Sequence, residues 1–168
     1  MRSISLFVFI ASVLLAAVFI WSTADQLPPI IATHFDAGNK PNGWMSHMGY
    51  RQYILGFLVG LPTLSMFLAG GLPKLMPLRV NVPNREYWLS PERREASLNF
   101  LFAHGCRLGC LMAFEIAGVH YMTLEAHRSI PPQLSMQVFL PMVAIFFLGI
   151  IAWIGTLYWR FRKIPEST

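Results

Sequence analysis

The sequence predicts an all-α integral membrane protein: four transmembrane helices with a short ordered extracytoplasmic cap between helices 1 and 2. Three observations predict it. The 168 residues are 55% hydrophobic and only 12% charged, which is too apolar for a soluble domain of this size. Four runs, Ile4 to Trp21, Tyr53 to Leu72, Leu108 to Leu124 and Val138 to Trp159, each come close to the roughly 20 apolar residues that a hydrocarbon core about 30 Å thick demands. The cations, finally, are segregated. Arg2, Lys74, Arg79, Arg85, Arg93, Arg94, Arg160, Arg162 and Lys163 fall on one side of these runs, Lys40, Arg51 and Arg128 on the other, and Arg107 at the edge of the third.

That asymmetry is the positive-inside pattern, which places the N- and C-termini in the cytoplasm. The whole chain, 1–168, then reads as a single membrane domain with helices at about 3–23, 50–76, 91–125 and 136–161. Outer loops occupy 24–49 and 126–135, and a cytoplasmic loop occupies 77–90. The net charge of +5 thereby reports topology and anionic headgroups, so the expected partner of the basic residues is the lipid bilayer and no nucleic acid.

The first helix has small residues, Ser22-Thr23-Ala24, where a signal peptidase cuts. Its apolar core exceeds the roughly 7–15 residues of a signal h-region, so a retained helix is expected. Pro28-Pro29 stops whatever precedes it, Ile30 to Phe35 alternates like a short half-buried strand, and Gly38, Pro41 and the Asn42-Gly43 pair supply turn chemistry. A compact cap follows, with His34, Phe35, Asp36, Asn42 and Trp44 as candidate recognition residues. His34, Asp36 and His47 are three potential metal ligands without a dedicated spacing; His34 can equally fix the loop through its ring nitrogens, and both readings stand.

The second helix carries Gly56, Gly60, Pro62, Gly70 and Gly71. These predict close approach to a neighbour and a bend near Pro62, either as a packing solution or as the moving part of a transporter. In the cytoplasmic loop, Ser90 as N-cap, Pro91 at the first helical position and Glu92 at the positive dipole end start the third helix near Pro91. Asn84, Arg85, Tyr87, Trp88, Glu92 and Arg93 form the loop's motif, with Tyr87 and Trp88 read as anchors among the headgroups.

On the third helix, Gly105, Gly109, Ala113 and Ala117 fall along one stripe, the small-xxx-small pattern of closely packed helices. His104, Arg107 and Glu115 occupy another sector, about 200° to 280° round from Gly105. With polar or small residues on two sides, this helix is expected at the centre of the bundle. Glu115 is costly near mid-bilayer unless protonated, paired or hydrated. It is either a functional acid or a neutral one bonded to Ser12, Thr63 or Ser65. Arg107 stands two turns away, roughly 12 Å along the axis, beyond direct pairing.

Cys106 and Cys110 read as small apolar filler. His104 reads as a hydrogen-bonded packing residue. Bis-histidine haem needs an axial partner on another span, and no other span has a histidine, so no cofactor is expected. The last span has no charge from Ser129 to Trp159 and is read as the lipid-facing helix.

The opening polar segment, Leu27-Pro28 through Ile30, Thr33-His34-Phe35-Asp36, Gly38 and Pro41-Asn42-Gly43-Trp44, resembles the signature of a bacterial membrane family, the domain of unknown function sixteen forty-eight. The Pro83-Asn84-Arg85-Glu86-Tyr87-Trp88-Leu89-Ser90-Pro91-Glu92-Arg93-Arg94 run resembles a second signature, seen in its small stand-alone members. The resemblance implies a multi-pass protein of the bacterial inner membrane. The same domain forms the N-terminal part of a larger protein for immunity and signalling against a sporulation-delaying peptide toxin; the resemblance transfers no catalytic residues. With no Gly-rich phosphate loop and no G-x-S-x-G turn, a non-enzymatic reading follows. The chain is expected to act as a binding, immunity/signalling or accessory subunit through its cap, partnered by other membrane subunits or by copies of itself. The alternative is a small proton-coupled transporter or channel using Glu115.

Overall fold

The computed structural model describes residues 2–164; residue 1 and residues 165–168 of the single expected domain lie outside the described residues. Four helical segments are long and apolar enough to cross a membrane: Ser3–Gln26, His47–Leu75, Arg94–Ala126 and Met136–Arg162. They run up, down, up and down. One end of the bundle carries a β-hairpin and is called here the hairpin end; the other carries residues 76–93 and is called the loop end.

Helix α1 (Arg2–Thr23) contains neither glycine nor proline, so nothing in it interrupts helical hydrogen bonding. A 3₁₀ turn, Ala24–Gln26, closes it, with Leu27 N–H donating to Ala24 O at 3.0 Å. Pro28-Pro29 then prevents continuation. Strand β1 (Ile30–Phe35) pairs antiparallel with β2 (Pro41–Ser46), Ile30 opposite Ser46 and Ala32 opposite Trp44. The cap is therefore a two-stranded sheet, and the chain is not helical throughout.

The turn lies three residues earlier than Asn42-Gly43. Asp36 N–H donates to Lys40 O, Asn39 N–H to Asp36 O, and Lys40 N–H to the Asp36 carboxylate, each at 2.9 Å. Asn39 closes this three-residue connection at φ 60°, the left-handed conformation such loops require and asparagine tolerates. Gly43 has a different reason. It sits opposite His34, and a Cβ there would lie 2.8 Å from His34 Nδ1.

Helix α2 (His47–Met66) starts on Ser46, whose hydroxyl accepts from Gly49 N–H at 3.1 Å. It stays helical through Pro62, which is buried. The departure from α geometry comes later, in a π-helical stretch Phe67–Gly71 that leads into the short α3 (Leu72–Leu75). A π stretch turns the following residues relative to those before it. Here it accompanies the seating of Gly70 on the third long helix, where a Cβ would lie 2.9 Å from Phe102 Cα.

After a 3₁₀ turn (Pro77–Arg79) and a single helical turn, α4 (Arg85–Trp88), comes α5 (Arg94–Ala126). Its start is three residues beyond Pro91. Ser90 O accepts both Arg93 N–H and Arg94 N–H, at 3.0 and 2.9 Å, so Pro91 belongs to a turn ahead of the helix. Helix α5 is the hub, packed by α1, α2 and α6 (Met136–Arg162). Gly105 meets Gly70, and Gly109 receives the Phe9 ring of α1 and the Pro62 carbonyl of α2. Ala113 and Ile116 join Ile20, Leu27, Ile31, Tyr50, Ile54 and Leu58 in the main apolar core. On the other side Leu111 covers Gly149 and Met142 covers Gly118.

Helix α6 buries little. Leu140, Phe147, Leu148, Ile151 and Trp159 are all more than half exposed, leaving an apolar outer face that water would not favour. Cys106 is buried among Phe9 and Phe102, a small apolar side chain as expected, with Cys110 packed against the same group.

The Gly70–Gly105 contact predicts a sharp contrast between glycines. Gly105→Leu should lower stability by roughly 1–3 kcal/mol through overpacking. Gly60→Ala, where nothing lies within 4 Å of the added Cβ, should be neutral or gain up to about 1 kcal/mol from helix propensity. Melting temperatures of the two purified variants in one detergent decide the matter.

Candidate functional site

At the hairpin end the β-hairpin is fastened to the helices by groups distant in sequence. His127 Nε2 accepts Ala32 N–H at 3.0 Å, while His127 Nδ1–H donates to Thr123 O at 2.8 Å, so both ring nitrogens are used. The Asn39 amide behaves as a strand would: its Nδ2–H donates to Leu134 O at 3.0 Å and its Oδ1 accepts Leu134 N–H at 2.8 Å. His47 Nε2–H donates to Ala24 O at 2.9 Å. An Arg51–Asp25 ion pair closes the α1–α2 junction, with the Arg51 guanidinium 5.0 Å from the Trp21 ring centroid.

This fastening leaves one face of the hairpin outward. His34, Asn42 and Trp44 are exposed and Phe35 is half-buried. Trp44 is 51% exposed, and Ile30 at 57%, Met48 at 68% and Ile130 at 99% are further exposed apolar residues of the hairpin end. Asp36 is exposed, but one carboxylate oxygen is committed to the turn. Among the described residues His34, Asp36 and His47 are not gathered into a metal-ligating set. His34 Nδ1 shares a 3.1 Å hydrogen bond with the Thr33 hydroxyl, and His47 is held by Ala24 O.

Beneath the hairpin lies a buried polar chain. Thr23 Oγ1–H donates to Phe19 O at 2.6 Å, so the same oxygen must accept the 2.9 Å bond from His120 Nε2–H. His120 Nδ1 is then the lone pair, accepting Tyr50 O–H at 2.9 Å. A neutral imidazole protonated at Nε2 satisfies both bonds. The ring is completely buried, stacked on Tyr50 at 5.9 Å and edge-on to Phe19 at 5.5 Å. One histidine joins three helices.

At the loop end the motif residues terminate α6. Asn84, in the left-handed conformation at φ 52°, donates to Phe161 O at 3.1 Å and Arg162 O at 2.7 Å. Trp88 Nε1–H also donates to Phe161 O, at 3.0 Å. These bonds satisfy carbonyls that a helix C-terminus leaves open. Trp88 is consequently buried at 7% exposure and does not face outward as an anchor. Arg160 covers it at 4.0 Å, and Arg93 lies over half-buried Tyr87 at 4.2 Å.

Arg85 binds Val80 O at 3.0 Å and Leu78 O at 2.8 Å, fixing the preceding loop. The Glu92 carboxyl is held below the usual carboxylate range by a backbone hydrogen bond at its own position, then by the Ser90 hydroxyl and the Arg93 charge. Ser90 thus engages the turn. Ser97 holds the start of α5 instead, donating to Trp88 O at 2.7 Å.

Between the two ends, His104 and Arg107 line one groove against α6, and Glu115 is not among its lining residues. His104 is buried in a reciprocal pair with Trp153 of α6. His104 Nε2–H donates to Trp153 O at 3.0 Å, Trp153 Nε1–H donates to His104 O at 2.9 Å, and the rings stack at 4.6 Å. His104 Nδ1 is left without a partner among the described residues. Arg107 is exposed along the groove between α5 and α6, beside Gly149, Ala152 and Thr156. Glu115 Oε2 is buried and unpartnered. No hydrogen bond joins Glu115 to Ser12, Thr63 or Ser65 among the described residues, and the Ser12 hydroxyl donates to Val8 O of its own helix at 2.8 Å.

Sequence reasoning passed over Thr23, Tyr50, His120, His127 and Trp153. His120 offered a signal: on a 100° wheel it falls on the same side as the Gly105–Gly109 stripe, hence on the buried face. No protein-family model matches the chain, and no similar curated protein or solved structure is found.

The His120 chain predicts coupled losses. Tyr50→Phe should cost roughly 1–3 kcal/mol by orphaning a buried lone pair. Thr23→Val should cost a similar amount, and the double variant less than their sum, because both act through one ring. Thermal unfolding in detergent of the four proteins measures the coupling; strict additivity would contradict a single connected chain.

Proposed function

We propose that this chain is a non-enzymatic, four-span protein of the bacterial cytoplasmic membrane whose hairpin cap binds a partner outside the cell membrane. Its termini lie in the cytoplasm, and it is a small stand-alone member of the domain family its two polar signatures resemble. The cap serves a binding, immunity/signalling or accessory role, with another membrane subunit or a second copy as the assembly partner. What carries the reading is an ordered hairpin, tied at Ala32 and Asn39, that presents Trp44, His34 and Asn42 outward. An exposed tryptophan on a rigid support meets the usual requirements of a binding hot spot: large area and little entropy left to lose. The charge asymmetry of the loops supports the orientation.

Purification from native membranes in mild detergent tests the recognition role. A partner should accompany the wild-type chain and be lost with Trp44→Ala, while melting stays unchanged; a chain that always emerges alone, as monomer, removes the proposal. Orientation has its own test. Ala37→Cys, at an exposed turn position, should react in intact cells with a membrane-impermeant maleimide, and reaction only after lysis would invert the topology.

A second reading rests on a separate observation, the buried and unpartnered Glu115 Oε2. Intramembrane acids are commonly functional, and a proton-coupled carrier would use such a group. Glu115→Gln should then abolish proton-dependent flux in proteoliposomes. Flux that is unchanged, or nil in the wild type across a broad panel, leaves the acid without a transport role.

A further inference from the structure

The loop end contains a lateral cleft that no role above uses. The Phe67–Gly71 stretch with α3 on one side and α6 on the other both lean on α5, and they leave a cavity of about 340 Å³ between them. That volume is within the roughly 300–1,000 Å³ of small-molecule sites. Its walls are apolar, with Leu68, Leu72, Met76 and Leu157 among them, and the His104–Trp153 pair forms part of its lining. Residues 79–82 cover one side, held in place by the hydrogen bonds from Arg85 to Leu78 O and Val80 O. The site is thus built before anything enters it.

The polar side of the cleft has one sign. Arg79 lines it, is exposed, and makes no side-chain hydrogen bond or ion pair with any described residue. Neighbouring cations are occupied: Arg85 with carbonyls, Arg93 and Arg160 over aromatic rings. No Asp or Glu lines the cavity. Leu75 and Leu78, exposed at 69% and 80%, flank it with further apolar surface.

An apolar cleft with an uncommitted guanidinium at its edge matches an amphiphile with an anionic head, whose chain gains by leaving water and whose phosphate gains a charge-assisted bond. We propose that the cleft holds an anionic glycerophospholipid of the surrounding bilayer, one acyl chain between α3 and α6 and the phosphate on Arg79. The site rests on the membrane reading above. A lipid in this position would tie α6, the least buried helix, to the rest of the bundle.

Native mass spectrometry of the full chain in detergent, titrated with phosphatidylglycerol or phosphatidylcholine of matched chains, tests the site. Phosphatidylglycerol should be retained in preference, and Arg79→Gln should weaken it about five-fold, the value of one interfacial cation, with a smaller loss for phosphatidylcholine, whose quaternary ammonium offsets its phosphate charge. Ala69→Trp, which fills the cleft, should abolish the preference. Equal retention of both lipids, or no effect of Arg79→Gln, would overturn the proposal and mark the bound lipid as merely annular. Arg79→Gln alters an exposed side chain, so it reads the site even if the filling variant misfolds. Extraction of native membranes with alkaline carbonate judges membrane embedding separately, and the titration reads the cleft whichever way that falls.

Discussion

Helix α5 can hold α1, α2 and α6 together because two of its neighbours reach its backbone. At Gly105 and Gly70 the main chains of α5 and α2 touch, and one turn on Gly109 admits the Phe9 ring beside the Pro62 carbonyl. Dispersion falls steeply with distance, so an approach of this kind multiplies the contacts that each helix makes along its length. In lipid, where apolar burial gives helices no preference for one another, such contact is a principal source of association. The π-helical stretch belongs to the same constraint: it lies where Gly70 meets Phe102 and Gly105.

The two ends solve a different problem, that of polar groups with little water around them. At the hairpin end His120 and His127 use both ring nitrogens, and the Asn39 amide completes a backbone pairing. At the loop end Asn84 and Trp88 close the carbonyls of α6. Each unmet buried group would cost on the order of 1–3 kcal/mol, so these matched sets stiffen the regions they occupy. The hairpin is accordingly a platform whose outer side chains are its adaptable part.

Unpartnered buried atoms occur at the hairpin end, as at Arg51 Nε, and in the interior between the ends. His104 Nδ1 and Glu115 Oε2 have no partner among the described residues, and Arg107 lies exposed along the α5–α6 groove. The α6 side of α5 carries these groups together with the cleft at Arg79, whereas the α1 and α2 side is closely packed. Packing around the one central helix is thus uneven, closer toward α1 and α2 than toward α6.

Four apolar helices, a strand at Ile30–Phe35 and a central third helix were legible in the chain, because hydropathy, alternation and small-residue spacing are local patterns, each produced by a repeat shorter than the element it marks. Even the hub position followed from residues on one helix. Other features depended on partners far away in sequence. Gly43 is glycine because of His34, so its pairing with Asn42 did not mark the turn. Trp88 looked like an anchor until Phe161, more than seventy residues later, took its indole proton. His120 had no identifiable role until Thr23 and Tyr50 arrived from two other helices. The sequence alone determined which segments avoid water, since that depends only on each segment's own composition. Only the tertiary structure decided which polar atoms are satisfied, because a hydrogen bond needs two groups within about 3 Å and the chain does not record which will meet.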